Sequence, residues 1–162
     1  MSGFVTACYC LGMPAVITFA GSTESGHSYA DVLWESYSFP SRYQRILVPG
    51  RRVLFYTGRR SVDGGSEPRY LGAGTVGNVW DTGEKSGRYR LLRCETVDVL
   101  RFPIPVPVKD SGGEYFESGA NITHHVGLYF SQGVRRISVD SYKRILRAHI
   151  DLDSVEEPDW QE

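Results

Sequence analysis

Residues 29–60 bring aromatic rings, hydrogen-bonding side chains and arginines together more densely than any other stretch of this chain. Aromatic faces bind a planar ring by stacking, which contributes about 1–3 kcal/mol per nucleobase. The Asp31 carboxylate can accept a hydrogen bond from an exocyclic amine, and the Ser38 hydroxyl can donate or accept one. The stretch therefore predicts a pocket for a flat, polar ring, and a nucleobase fits these groups best. The predicted base-binding residues are Tyr29, Asp31, Trp34, Tyr37, Ser38 and Tyr56.

Positive charge surrounds the same stretch, although the whole chain carries a formal net charge of −1. Residues 40–93 contain 11 Lys and Arg against 4 Asp and Glu, whereas residues 151–162 contain six acids and no base. Arg presents a planar fork of donors that matches phosphate oxygens. An excess of Arg over Lys is also typical of GC-rich coding sequences, but that does not explain the clustering. The predicted phosphate-binding residues are Arg42, Arg45, Arg51, Arg59, Arg60 and Arg69.

Some of the aromatic residues in this stretch have a second interpretation, because large rings also fill hydrophobic cores. We expect Phe39, Tyr43 and Phe55 to be core residues. Trp34 and Tyr37 suit a core and a pocket equally well, so the pattern leaves their role open.

A literal G-x-G-x-x-G occurs at residues 72–77. In a dinucleotide-binding fold this pattern must follow a strand and open a helix, whose N-terminus holds the pyrophosphate. Here the following residues, 78–83, run into a turn, so we expect a glycine-rich strand instead. Glycine inside a strand marks a bend or a place where another part of the chain or a ligand comes close. A nucleotide-dependent enzyme that uses this strand is the alternative.

No other pattern in the sequence forms a recognisable catalytic or metal-binding set. His124 and His125 are adjacent and would point apart in a strand, and a third ligand at a usual spacing is missing. Cys8, Cys10 and Cys94 form no Cys-x-x-Cys pair and are typical of reduced thiols in a cytoplasmic protein. We therefore predict a binding domain without enzyme activity, metal or cofactor.

The length of 162 residues suits one domain that can bury a sizeable core. The apolar run at residues 4–20 is short and broken by Pro14, so it favours a first strand over a membrane span. Because Met13 could be the natural start, we expect three parts: a possible extension at 1–12, a domain at 13–150 and an acidic tail at 151–162.

Strands connected by Gly-rich turns, with few helices, predict an α+β fold built on a curved, mostly antiparallel sheet or pseudo-barrel with flanking helices. The alternating Pro103, Pro105 and Pro107 cannot donate ladder hydrogen bonds, which places them at a sheet edge or in a polyproline-like segment. A protein-interaction module using that edge is a further alternative. The predicted strands are 15–20, 52–57, 69–80, 88–102 and 127–130, and the predicted helices are 41–47 and 139–150, with turns or loops at 81–87 and 110–123.

Several short motifs resemble, in order and spacing, the EVE-type branch of the PUA-like superfamily. The motifs include Tyr29-x-Asp31, Tyr37-Ser38-Phe39-Pro40 and Pro49-Gly50, and they continue through residues 53–56, 70–74 and 135–138. The resemblance covers roughly residues 14–148. It is closest to the modified-base-reading domains that precede HNH nuclease domains in bacterial restriction enzymes.

The resemblance implies a pseudo-barrel with a cage that receives one nucleotide flipped from duplex DNA, typically a cytosine modified at carbon 5. Some relatives in the superfamily read methylated RNA bases or bind other ligands, so RNA is an alternative partner. A fused or separate HNH-type nuclease is a further implied partner, and no membrane is implied. The nuclease-linked domains are expected to carry His before Phe-Pro, where this chain has Ser38, so the chain departs from the pattern at the contact to the base edge.

Overall fold

The computed structural model describes residues 12–19, 31–58 and 67–155. The strands are β1 (Ala15–Thr18), β2 (Ser36–Pro40), β3 (Arg52–Thr57), β4 (Arg69–Ser86), β5 (Tyr89–Pro107) and β6 (Val134–Arg136). A 3₁₀ turn spans Ser41–Tyr43, and the α-helices are α1 (Ser118–Ile122), α2 (Val126–Ser131) and α3 (Val139–Val155).

The six strands form one mixed, curled sheet in the order β2-β5-β4-β3-β1-β6. Strand β1 runs parallel to β3, and every other pair in the sheet is antiparallel. Tight turns between consecutive strands allow antiparallel pairing, whereas the parallel pair needs the long connection between β1 and β3. The predicted fold class, an α+β protein with a curved, mostly antiparallel sheet and flanking helices, is confirmed.

Each face of the sheet carries its own hydrophobic cluster, because successive side chains of a strand point to opposite faces. In β3, Val53 and Phe55 pack with the residues of β2, whereas Leu54 and Tyr56 pack beneath α3. The cluster that includes Phe55 also buries Phe39, so these two expected core residues lie in the core, whereas Tyr43 is partly buried and packs against it.

Four local predictions differ from the structure. The predicted helix at 41–47 is only a 3₁₀ turn, since the Gln44 and Ile46 amides bond to carbonyl oxygens three residues earlier. The predicted turn at 81–87 is extended until Ser86, since cross-strand pairing with β5 continues to that residue. Residues 127–130 are helical, and Phe130 packs there against the core, so tertiary contact overrides strand propensity. The predicted loop at 110–123 contains α1, with Ala120 buried.

The final helix begins as predicted, since the Ser138 hydroxyl accepts a hydrogen bond from the Ser141 amide at 3.0 Å and caps the first turn. It continues to Val155, past the predicted end near Ile150. In the part of the chain that the structure describes, no helix has the length and apolar character needed to span a membrane.

Strand β4 passes straight through the G-x-G-x-x-G pattern, and no helix follows Gly77. The dinucleotide interpretation is therefore wrong for this segment. A Cβ added at Gly72 would lie 2.6 Å from Cζ3 of Trp34 and 2.4 Å from the Leu100 carbonyl oxygen. The glycine thus makes room for an aromatic ring, as expected for glycine inside a strand.

Candidate functional site

The Asp31 carboxylate lies at the start of the segment that leads into β2. Its Oδ1 accepts a 2.7 Å hydrogen bond from the main-chain amide of Ser38, which is itself buried in β2. The Ser38 hydroxyl also forms a hydrogen bond with this carboxylate. Two groups of Ser38 thus hold the carboxylate in place, and its remaining lone pairs can accept a hydrogen bond from a ligand.

Burial raises the pKa of the Asp31 carboxyl from 3.8 to about 6, and the Ser38 hydrogen bonds and the Arg93 charge lower it only in part. Burial raises the pKa of the Cys94 thiol to about 12, and the negative charge of Asp31 contributes to that rise. Burial and the same charge also raise the pKa of Tyr37. The carboxylate therefore lies close over the paired residues of β2 and β5. Near neutral pH it is mostly ionised and acts only as an acceptor.

Arg93 completes this polar group from β5. Its Nε donates a 2.9 Å hydrogen bond to the Ser38 hydroxyl, and Arg93 is the register partner of Ser38 in the β2–β5 pair. A carboxylate, a hydroxyl and a guanidinium thus occur side by side on adjacent strands. Arg93 is not among the residues predicted from the sequence, because only the strand register shows that residues 55 positions apart are neighbours.

Trp34 lies in the turn between Asp31 and β2, with a φ of 77°. A bulky residue in the left-handed region costs of order 1–3 kcal/mol, and such residues cluster at binding and catalytic sites. The turn is held by the Thr96 hydroxyl, which donates a 2.9 Å hydrogen bond to the Trp34 carbonyl oxygen. The half-buried indole packs over Gly72 and edge-on against Phe55, with ring centroids 5.0 Å apart.

A second unselected arginine borders the indole. The guanidinium carbon of Arg101 lies 5.1 Å from the Trp34 ring centre, within the range of a cation–π contact. Arg101 is otherwise exposed and pairs with Gly72 in the β4–β5 register. Arg101 lies outside the basic cluster at residues 40–93, and only the strand pairing shows that it is close to Trp34.

Tyr37 and Tyr56, the other two aromatic candidates that the structure describes, do not share a cavity with Trp34. Tyr37 is 5% exposed, and its hydroxyl donates a 3.1 Å hydrogen bond to the Gly133 carbonyl oxygen. Tyr56 belongs to the opposite face of the sheet, where it borders a cavity of about 450 Å³ together with Tyr115 and Phe130. Their predicted contacts to a base remain predictions.

The predicted phosphate-binding arginines divide into different settings. Arg42 and Arg45 are exposed at the 3₁₀ turn beside the β4–β5 hairpin. Arg51 donates from Nε to the Ile46 carbonyl oxygen and from Nη1 to that of Met13, so it ties two chain segments together. Arg69 donates to the Glu67 carbonyl oxygen at the other end of β4. Tyr29, Arg59 and Arg60 lie outside the described residues.

A different buried polar group lies under the opposite face of the sheet. Arg135 makes two 2.9 Å hydrogen bonds to the buried Glu117 carboxylate, which also accepts from the hydroxyls of Tyr70 and Tyr129. The guanidinium carbon lies 4.5 Å from the Tyr56 ring centre. All charges here are matched by the protein, so this cluster supports the fold. Among the described residues, no group of three or more His, Cys, Asp or Glu could hold a metal ion.

No protein-family model and no curated protein matches the chain. It is similar to the N-terminal domain of McrB from Staphylothermus marinus, with 10% identity and a TM-score of 0.49 over 85% of this chain and 96% of that one. A Pseudomonas putida protein solved by structural genomics gives 10% identity and a TM-score of 0.47, covering 83% and 98% of the two chains. A Rhodopseudomonas palustris protein solved by NMR gives 11% and 0.48, covering 86% and 94%. At these identities, what this chain binds has to be inferred from its own residues.

Proposed function

We propose that this chain is a nucleic-acid-binding module that reads a modified base, a 5-modified cytosine flipped out of duplex DNA. The observation that carries the proposal is the half-buried Asp31 carboxylate, which Ser38 holds through hydrogen bonds and which keeps acceptor capacity for a further donor. A carboxylate is the side chain that accepts from the exocyclic amine of cytosine. Burial opposes its charge and raises its pKa, and such groups cluster at functional sites.

Trp34 supplies the flat surface that a flipped base needs beside such an acceptor. Its strained backbone and the space left by Gly72 hold the indole in one position over β4. Unstacking a base costs a few kcal/mol, which stacking on the indole and the hydrogen bond to Asp31 would offset. A 5-methyl group on the base adds apolar area to that contact.

The Ser38 hydroxyl and Arg93 form the second half of the proposed recognition group. Arg93 donates to the Ser38 hydroxyl, and this buried hydroxyl in turn forms a hydrogen bond with the Asp31 carboxylate, so it orients the acceptor that the base would meet. Ser38 therefore replaces, in this proposal, the His that the nuclease-linked domains are expected to carry. No catalytic role follows from this arrangement, and we propose a binding function.

The direct test is equilibrium binding of the full chain to a set of matched duplexes carrying cytosine, 5-methylcytosine or 5-hydroxymethylcytosine at one position, in low salt. We expect tighter binding to a modified duplex, and we expect Asp31→Asn to reduce this preference. Asp153→Asn, an exposed acid on α3, is the matched control and should bind as the wild type does. If none of the three duplexes binds detectably, the proposal is overturned.

An RNA reader is the second candidate, because the same acceptor and ring would hold a modified RNA base. Single-stranded RNA with and without a methylated base belongs in the same experiment. Preference for the RNA over every duplex would replace the DNA assignment and leave the base-reading site in place.

A further inference from the structure

The turn between β4 and β5 projects beyond the neighbouring strands. Strand β2 pairs only with residues 91–95 of β5, and β3 pairs only with residues 69–75 of β4. The two long strands nevertheless continue their own pairing to Ser86 and Tyr89. Gly87, with a φ of 61°, completes the turn. The end of the hairpin is therefore a two-stranded ribbon that extends beyond the flanking strands, with the 3₁₀ turn packed beside β5.

Two arginines are arranged around one ring at the end of this ribbon. The guanidinium carbon of Arg88 lies 5.1 Å from the Tyr89 ring centre, and that of Arg42 lies 5.8 Å from the same centre. Arg88 also donates a 3.0 Å hydrogen bond to the Tyr89 hydroxyl, and Arg42 lies 4.8 Å from the Tyr43 ring. Both arginines are exposed, yet their side chains are ordered by aromatic contacts.

Neither of these two guanidinium groups has a carboxylate partner among the described residues. Nearby Arg90 provides the contrast, since it makes a 3.1 Å ion pair with Asp81 and a hydrogen bond to Gln44. The ribbon thus neutralises one of its arginines and leaves Arg42 and Arg88 available for an external anion. Aromatic contacts that hold the side chains in place reduce the entropy lost when such an anion binds.

We propose that Arg88, Tyr89 and Arg42 form a backbone-binding arm that holds phosphodiester groups of duplex DNA independently of the base that is read. This inference rests on the proposed nucleic-acid function. The major groove of B-DNA admits a two-stranded β-ribbon, and guanidinium groups match phosphate oxygens. Tyr89 and Arg93 are four residues apart in β5, roughly 13 Å at about 3.3 Å per residue. The arm would thus contact the backbone about four base steps from the base-reading residues.

The test measures the affinity of the full chain for modified and unmodified duplexes over a range of salt concentrations. We expect Arg88→Ala and Arg42→Ala each to weaken binding to the modified and to the unmodified duplex by the same factor. Losing one phosphate contact lowers the affinity about eightfold at 0.1 M salt. The slope of log affinity against log salt should fall by about 0.9 for each lost contact. Arg88→Lys should keep most of the slope, and Arg147→Ala, an exposed arginine on α3, should bind as the wild type does.

Three outcomes separate this inference from the proposed function. A wild-type chain that binds no nucleic acid overturns both. A double Arg42 and Arg88 variant that keeps wild-type affinity and salt slope, while the wild type prefers a modified duplex, overturns the arm alone. Loss of the preference for the modified base in that double variant would also contradict a base-independent role. Thermal unfolding of each variant shows whether the fold is retained.

Discussion

The main-chain amide of Ser38 donates a 2.7 Å hydrogen bond to the carboxylate of Asp31. This bond holds an acid against buried strands, although burial raises its pKa to about 6. The fold therefore maintains a carboxylate in an environment that opposes its charge. Such an arrangement is common where a charged group has a binding or catalytic task.

The first prediction concerns the stability of Asp31→Asn as a function of pH. The folded pKa of about 6 exceeds the ordinary value of 3.8, so the folded state binds the proton more tightly than the unfolded state. The raised pKa of Asp31 adds to the free energy of unfolding at low pH, and this stabilisation is lost as the pH rises through 6. We expect the variant to be more stable than the wild type at pH 8, by on the order of 1–3 kcal/mol, with the gain disappearing near pH 4.

Urea unfolding of wild type and variant at pH 4, 6 and 8 measures this difference. Asp153→Asn is the control, because its carboxylate is exposed on α3. A variant that is less stable than the wild type at pH 8 would show that the carboxylate supports the fold, contrary to this account.

The second prediction concerns Gly72→Ala. The added methyl carbon would lie 2.6 Å from the Trp34 ring and 2.4 Å from the Leu100 carbonyl oxygen, so the ring or the strand must shift. We expect a loss of about 1–3 kcal/mol in the free energy of unfolding, together with weaker binding to a modified duplex. Gly127→Ala is the matched control in α2, where an added methyl meets nothing within 4 Å and should be tolerated. Unchanged stability of Gly72→Ala would contradict the close packing of Trp34.

The third prediction concerns the buried ion pair between Glu117 and Arg135. Glu117→Gln removes the charge that matches a guanidinium of which the side chain is only 2% exposed. Leaving such a charge unmatched costs about 3–5 kcal/mol, which should appear in denaturant unfolding. Asp81→Asn breaks the exposed pair with Arg90 and should have little effect. Similar losses in the two variants would show that burial does not decide the cost here.

Sequence patterns predicted the fold class and most of the strands because glycine and proline mark turns and because β3 is a run of β-branched and aromatic residues. They also placed Asp31, Trp34 and Ser38 in one stretch, and the structure joins Asp31 to Ser38 by a hydrogen bond, whereas the Trp34 indole lies over Gly72. The sequence pattern could not show that Trp34 and Tyr56 lie apart in the fold, since both are aromatic residues of the stretch 29–60. They lie on opposite faces of the sheet, which only the position of Tyr56 in β3 reveals.

Long-range partners of the site were beyond sequence reasoning. Arg93 and Arg101 reach Ser38 and Trp34 through the pairing of β5 with β2 and β4, and that register depends on several β-bulges. A bulge shifts every later neighbour along the strand and leaves no reliable mark in one sequence. The basic cluster was found from composition, but its division into structural and available arginines required their hydrogen bonds.

The most direct test of the base-reading proposal is the ratio of dissociation constants for unmodified and 5-methylcytosine duplexes, measured for wild type and Trp34→Ala. Stacking on an aromatic ring is worth about 1–3 kcal/mol per base, so the variant should bind the modified duplex about 5- to 150-fold more weakly. Trp34→Phe keeps an aromatic face and should retain part of the preference. We expect a ratio above one for the wild type and close to one for Trp34→Ala. A wild-type preference that persists unchanged in a folded Trp34→Ala variant would contradict the proposed site.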